Sequence, residues 1–486
     1  MSDPGPVSEA RARRRPPGEL GGRLGGLSLR AQVLTLAVWP LLEQLMGFLV
    51  SSADMVLAGH AMQGDNRIAV MDALGLSAYV AWLMMILQGA VGVGVMALVS
   101  RAAGARDQDV ASKALGQGLL VGFLTGLGAG LMIRVFLGPM ISAYSLSDQA
   151  AGYAMEYLSI LVWMCPVLGV MLAATHALRA IGDTLTPFVA MVIVNAVNIG
   201  LSWLFVFGPE PFGGMGVRGL ALGTVLAWCV GMVVVLGFLY FRSGKPNDAD
   251  DGVELSLRGC RLRPEAAMMK RILRVGFPQG LEMLGMWTIN SISLGFVAGL
   301  AQRGALGAHW IAIRVESMSF LPGLAIGTAG AALTGQYLGA KNPEMAKKAV
   351  RMCWRYAVVL MSLMGVLFLL IPGMLVGLIV PGDGEDAKLL IGLAAPLVFL
   401  CGVFQPMLAT CMVLKQSLRG AGATRMVMMW SFSSMIFFRG IMVPVAVTFF
   451  GAGLYGIWII MFADVVLQAL IFARLHFKGD WVKTEV

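Results

Sequence analysis

Long apolar runs alternate with short polar breaks along most of the chain, and each run is long enough for a helix to cross a bilayer. A membrane barrel would instead show weak alternating segments of about ten residues. The pattern predicts twelve membrane-spanning helices, near residues 31–58, 68–99, 112–138, 152–179, 186–208, 216–241, 268–300, 306–336, 353–380, 386–417, 426–449 and 453–474. The long polar interior segment, "RSGKPNDADDGVELSLRGCRLRPEAAMMKR" at 242–271, falls between the sixth and seventh.

Composition agrees. Of 486 residues, 58% are hydrophobic and 13% charged, against about 25% charged in soluble domains; mean hydropathy is +0.79. The first thirty residues, with Arg11, Arg13, Arg14 and Arg15, lack an apolar core and are expected to be neither signal peptide nor span. The six cysteines are scattered, without CxxC or metal spacing, and are expected as buried free thiols.

The formal charge of +9 raises nucleic acid as a partner, but the placement of the basic residues excludes it. They gather at the N-terminus, around Arg101, Arg106 and Lys113, at Arg179, between Arg242 and Arg274, from Lys341 to Arg351, at Arg419 and Arg425, and from Arg474 to Lys483. With an even number of spans all of these lie on one side, while the opposite loops are acidic or neutral. The positive-inside rule then puts both termini in the cytoplasm of a multi-pass protein of the cell (inner or plasma) membrane.

The chain also repeats. "GARDQDVASKA" (104–114) matches "GAKNPEMAKKA" (339–349), an offset of 339 − 104 = 235. "LRAIGDT" (178–184) matches "LRGAGAT" (418–424), an offset of 418 − 178 = 240. "AVWPLLEQL" resembles "VGFPQGLEML", with Pro40 opposite Pro278. The expected units are a cytoplasmic tail 1–29, an N-lobe 30–241, a cytoplasmic linker 242–266, a C-lobe 267–475 and a tail 476–486. Parallel repeats of six spans bind cargo between them, as in transporters.

The ordered set "ADMVLAG" (53–59), "GARDQDVASKA", "LRAIGDT", "MGVRGLALGT" (215–224), "IAIRVESMSFLPGLAIGTAGAALTGQYLGAKNP" (311–343) and "QPMLATCMVLKQSLRGAGAT" (405–424) resembles the MATE family of multidrug and toxic compound extrusion transporters. The resemblance runs from about residue 30 to 475. It implies an all-α fold of twelve transmembrane helices in two pseudo-symmetric six-helix lobes. The activity implied is export of lipophilic organic cations by alternating access, in exchange for H+ or Na+.

Within the first span, Glu43 and Asp54 stand eleven residues apart. That is three turns plus about 20°, so both lie on one helix face some 16 Å apart. A charge at the centre of a membrane helix costs about 2.5–3.5 kcal/mol on insertion scales, so an acid there needs a partner, a watery cavity or a function. Glu43 is expected either to line the cavity or to hydrogen-bond across a helix interface. By the resemblance, Asp54 belongs to a cation site with Asn198, Ser202 and Thr224. Ser202 stands where the family pattern has a second acid, "NIGLSWLFVFG" carrying Asn198 but not the Asp four residues on. One carboxylate holds a charge-dense ion less strongly than two, which favours H+ over Na+, although Asp54 and Asn198 with two hydroxyls could complete a sodium shell. Further candidates for the substrate cavity are Glu282, Met286, Glu316 and Gln405. Lys415, Gln416 and Arg439 are available to neutralise such acids, Arg314 to pair with Glu316, and Asp464 is expected to have a local partner.

No cofactor is expected, and the protein is expected to be no enzyme: HExxH, HxxxxD and GxSxG are absent beside the spans, and "DADD" (248–251) stands alone in the linker. A single duplicated chain points to a monomeric carrier rather than an oligomeric channel. The competing function is a flippase for lipids or lipid-linked oligosaccharides; its pyrophosphate cargo calls for a basic cavity, whereas the mid-membrane groups here are mainly acidic.

Overall fold

The computed structural model describes residues 18–61, 65–142, 144, 146–209, 211–242, 252–260, 262–380 and 384–484. Helices lie over each expected stretch. The first half holds α1 (Leu29–Ala61), α2 (Asp65–Ala105), α3 (Gln108–Ser142), α4 (Asp148–Leu161), α5 (Met164–Ala180), α6 (Leu185–Phe207) and α7 (Gly216–Phe241). The second holds α8 (Ala266–Ala298), α9 (Ala305–Gly339), α10 (Pro343–Leu370), α11 (Pro372–Gly377), α12 (Glu385–Gly420), α13 (Thr424–Met435), α14 (Val443–Phe450) and α15 (Leu454–Lys478). Among the described residues ten helices are long and apolar enough to cross a membrane, or up to eleven if the bent pair α4–α5 is one span. Helix α1 adds a further 33 residues of helix.

Two expected spans are not single helices, and proline explains both. Pro166 sits at the third position of α5. Its ring offers no N–H to the preceding turn and clashes with the carbonyl four residues back, so α4 and α5 meet at 50°. Pro372 likewise separates α10 from α11, with Ile371 before it driven to φ −133°. Residues Ile436–Met442, between α13 and α14, widen into a π-helix.

The two repeated motifs take the same shape in each half. Arg106 and Lys341, separated by the 235-residue offset, are the described non-glycine residues with positive φ, at 60° and 56°. The next residue in each case caps the following helix: Asp107 Oδ1 accepts from Val110 N at 3.0 Å, and Asn342 Oδ1 from Met345 N at 3.1 Å. At the second corner Gly182 and Gly422 adopt φ of 91° and 87°, a conformation glycine reaches without a Cβ clash. Duplication is thus visible in backbone geometry as well as in spelling.

The halves meet through α1 and α2, which pack on α8 and α9. Small residues permit the contact. A Cβ added to Gly104 would lie 1.8 Å from the Gln336 carbonyl oxygen, and one on Gly339 would lie 2.1 Å from that of Arg101. Side chains tie the same end: Gln336 Nε2 donates to Ala180 O at 2.6 Å and Tyr337 Oη to Gln32 Oε1 at 2.7 Å. Nearer the other end, Tyr79 of α2 hydrogen-bonds Ser291 of α8 and lies 4.8 Å, centroid to centroid, from Trp287.

The expected linker, 242–266, lies partly outside the described residues at 243–251 and 261. Its described part is pinned to α3. Gln108 bonds both backbone groups of Glu254, at 3.0 and 2.6 Å, and Gln117 bonds Arg263 O and Glu265 N at 2.8 and 2.9 Å.

The close approach at Gly104 gives a first test. Gly104→Ala drives a methyl into backbone that cannot turn aside, and overpacking of this kind destabilises by about 1–3 kcal/mol. The expected outcome is a lowered melting temperature of the purified protein in detergent, and an unchanged one would show that the halves do not close at this point.

Candidate functional site

Helix α6 places Asn198 and Ser202 four residues apart on one face, and α7 presents Thr224 to that face. Gly223 makes this possible: a Cβ there would lie 2.4 Å from Ser202 Oγ and 2.8 Å from its backbone nitrogen. Gly219 performs the same task one turn earlier, against Phe205. The two helices therefore approach closely enough for their short polar side chains to meet. Asp54 of α1 enters this seam and is 6% exposed, with Asn198 and Ser202 fully buried.

Four neutral donors surround the carboxylate. Thr224 Oγ1 donates to Asp54 Oδ2 at 2.8 Å; Asn198 Nδ2 and Ser202 Oγ both reach Oδ1 at 3.4 Å; Tyr157 Oη reaches Oδ2 at 3.5 Å. Asn198 Nδ2 also lies 3.1 Å from Thr224 Oγ1. Among the described residues no cation lies within 4.0 Å of Asp54. Two features leave room for a change of state. The Thr224 hydroxyl has a second acceptor, Leu220 O, at 3.0 Å, and Asn198 Oδ1 is buried without a partner. The carboxylate, the amide oxygen and the hydroxyls are all hard oxygens, which suit a proton or a small hard cation. Among the described residues no group of three or more His, Cys, Asp or Glu forms a metal site.

The four residues expected to gather do so, and Tyr157 of α4 joins them. The sequence gives little sign of Tyr157, since a tyrosine inside a span usually needs only some hydrogen-bond partner when buried. The remaining candidates lie elsewhere. Glu43 forms an ion pair with Arg179, at the last turn of α5. Glu282, 1% exposed, is bracketed by Lys415 at 2.7 Å and Arg419 at 2.8 Å. Lys415 thus neutralises this acid, as expected of it, and Arg419 adds a second positive charge, so Glu282 contributes no net negative charge here. Arg179 and Arg419 occupy the same position of the repeated "LR" corner. Each half thus bonds the glutamate of its first helix to the arginine of that corner.

Gln405 is fully buried against Gly365 of α10, with neither end of its amide hydrogen-bonded. Met286 is half-buried on α8. Glu316 is half-buried on α9 and has no ion-pair partner within 4.0 Å among the described residues, so Arg314 does not pair with it. Gln416 accepts from Arg419 at 2.9 Å rather than meeting an acid. Asp464 does find local partners: Arg439 at 2.9 Å, with Ser434 and Gln468. Lys415 also donates to Gln468 at 3.3 Å, so a continuous polar chain runs from Glu282 to Arg439 and on to Asn290.

Comparisons with known proteins agree with this architecture. The MatE family model matches residues 40–204 and 278–446. The chain is 28% identical over 465 residues to a probable multidrug resistance protein NorM of Thermotoga maritima, covering 94% of each. It is 23% identical to an FAD transporter of Shewanella oneidensis, over 56% of this chain and 58% of that one. A MOP superfamily transporter from Pyrococcus furiosus shares the fold with a TM-score of 0.82 at 20% identity, over 94% of this chain and 98% of that one. A multidrug resistance MATE family transporter in an outward-facing conformation gives 0.81 at 20% identity, with the same coverage.

The Glu43–Arg179 pair supplies the second test. Glu43→Gln leaves a half-buried guanidinium without its counter-charge; breaking a fully buried pair costs about 3–5 kcal/mol, and the partial exposure here lowers that cost. Arg179→Gln added to that variant should restore much of the lost thermal stability. A Glu43→Gln protein as stable as the native one would remove the bracket role.

Proposed function

The chain belongs to the MatE family, and from that premise we propose that it exports lipophilic organic cations in exchange for protons, with sodium as the alternative coupling ion. It is a MATE-type secondary transporter, moving small organic solutes by alternating access, and not an enzyme. The finer reading adds twelve spans in two lobes of six, both termini in the cytoplasm, and a monomer as the working unit.

One observation carries the coupling role: among the described residues Asp54 is held only by neutral donors. An acid bracketed by arginine keeps its charge in every state, whereas one held by hydroxyls and an amide can gain and lose a proton without stranding a buried cation. On protonation the carboxyl O–H needs an acceptor, and Asn198 Oδ1 is unpartnered. The Thr224 hydroxyl then turns from Asp54 to Leu220 O. Loading the ion thus rearranges bonds that join α1, α6 and α7. Sodium would use the same oxygens.

Cationic cargo is supported by Asp54 and Glu316, acids that no basic side chain neutralises at ion-pair distance among the described residues. The flippase reading has less support. Lys415 and Arg419, which would have to meet a pyrophosphate, are both engaged by Glu282.

In proteoliposomes with separately imposed H+ and Na+ gradients, efflux of a fluorescent organic cation is expected to follow the proton gradient. Asp54→Asn should abolish coupled efflux while the protein stays folded, because Asn keeps the size and loses the titratable group. Ser202→Ala should be milder, since it removes one oxygen and no charge. Near wild-type efflux by Asp54→Asn at matched protein levels would defeat the coupling role. In a pump-deficient host, tolerance to cationic dyes should rise more than tolerance to anionic compounds; equal protection would favour the flippase.

A further inference from the structure

A cleft of about 350 Å³ opens between α8 and α13, lined by Arg274, Phe277, Pro278 and Leu281 of one helix and Arg425, Met428 and Met429 of the other. The spacing is i, i+3, i+4, i+7 on α8 and i, i+3, i+4 on α13, so each helix gives one continuous stripe. Both stripes are built alike. Each begins with an arginine near the N-terminal end of its helix and continues with apolar side chains. The apolar part reaches about 10 Å deeper along α8 at 1.5 Å per residue.

Among the described residues neither arginine has a partner. Arg274 and Arg425 are exposed and make no hydrogen bond or ion pair with another described residue. The apolar members are open as well, with Phe277 68%, Met429 64% and Leu281 41% exposed. The charge is also particular to this half. Carried back by the repeat offsets of 278 − 40 = 238 and 418 − 178 = 240, Arg274 corresponds to Leu36 and Arg425 to Leu185. The first half therefore has an apolar pair where the second has two guanidinium groups.

We propose that this cleft holds an anionic phospholipid of the cytoplasmic leaflet, its phosphate between Arg274 and Arg425 and one acyl chain along Phe277, Leu281 and Met429. Guanidinium groups match phosphate in charge and in hydrogen-bonding geometry. Basic pockets between membrane helices on the cytoplasmic side favour such headgroups. A free phosphate would satisfy the arginines alone and leave the apolar stripes without a role; a lipid satisfies both. The site rests on the membrane orientation given above and is independent of the coupling ion and the cargo.

Native mass spectrometry of the purified protein tests this with phosphatidylglycerol and phosphatidylcholine carrying identical acyl chains. One phosphatidylglycerol should be retained in preference to phosphatidylcholine by about fivefold for each guanidinium, about thirtyfold for the two. Arg274→Gln with Arg425→Gln should abolish the preference, and Arg274→Lys with Arg425→Lys should keep most of it, with both variants monodisperse on size exclusion. Equal retention of the two lipids by the native protein would overturn the proposal, as would an undiminished preference in the double Gln variant. Displacement of phosphatidylglycerol by millimolar inorganic phosphate would overturn the lipid as occupant. Transport measured in parallel reads the coupling site separately, since neither arginine touches Asp54.

Discussion

A bilayer core offers a carboxylate nothing, so every acid carried into it must bring its partners along. Much of this architecture answers that constraint. Glu43 draws Arg179 from α5; Glu282 draws Lys415 and Arg419 from α12; Asp464 draws Arg439 from the π-helical turn before α14. The Glu43 and Glu282 contacts fasten helices distant in sequence, and the Asp464 contact fastens α15 to the π-helical turn 25 residues before it; each carboxylate meets at least one basic side chain. Asp54 is treated differently. Its partners are three hydroxyls and an amide, which stabilise a charge without cancelling it. The same constraint makes three acids into fasteners and gives Asp54 neutral donors, while Glu316 has no basic side chain at ion-pair distance among the described residues.

How much of this is legible in the sequence depends on how local its cause is. Apolar runs report helices directly, because a span is a local property of about twenty residues. The Asn198–Ser202 pair is legible for the same reason, as four residues on one helix place both on one face. The family resemblance adds Asp54 and Thr224. Tyr157 was not legible, because nothing in "MEYLSIL" says which way its hydroxyl points. Nor were the arginine partners of Glu43 and Glu282, Arg179 and Arg419, which stand 136 and 137 residues away. For Glu282 the sequence offers Lys415 as a neutralising group, but only the fold shows that Arg419 of α12 joins it. The breaks at Pro166 and Pro372 follow from proline chemistry, but many prolines in this chain sit inside continuous helices, as Pro40 and Pro278 do. Neighbouring helices decide which prolines break a span, and the sequence does not show neighbours.

The repeat separates what the fold requires from what one half does with it. Both halves retain the capped turn at Asp107 and Asn342, the left-handed glycine at 182 and 422, and the bracket from first-helix glutamate to corner arginine. These are the scaffold. Beyond them the halves diverge. Asp183, which accepts from Thr186 and pairs with Arg23 and Arg242, stands opposite Ala423. The arginines Arg242 and Arg23 outweigh the effect of burial and hold the Asp183 carboxyl below its ordinary range. The stability from this cluster is therefore present at neutral pH and is lost as pH falls through the depressed value.

The divergence is sharpest where the first half builds the Asp54 cage. Advancing Asn198 and Ser202 by the 240-residue offset reaches Phe438 and Met442, inside the π-helical segment that carries Arg439. One half thus has a regular helix with small polar residues, closed tightly on α7 through Gly223. The other has a widened turn whose arginine is spent on Asp464 and Asn290. A regular helix sealed by glycine excludes water and fixes oxygen positions, which is what a selective site for a small ion needs. A widened turn tied into a long polar chain provides no such fixed shell. Alternating access requires only that the two halves differ in what they hold while sharing how they are hinged. Here the shared corners and brackets supply the common frame, and the fifth and eleventh spans, α6 and the stretch from α13 to α14, are where the two halves part.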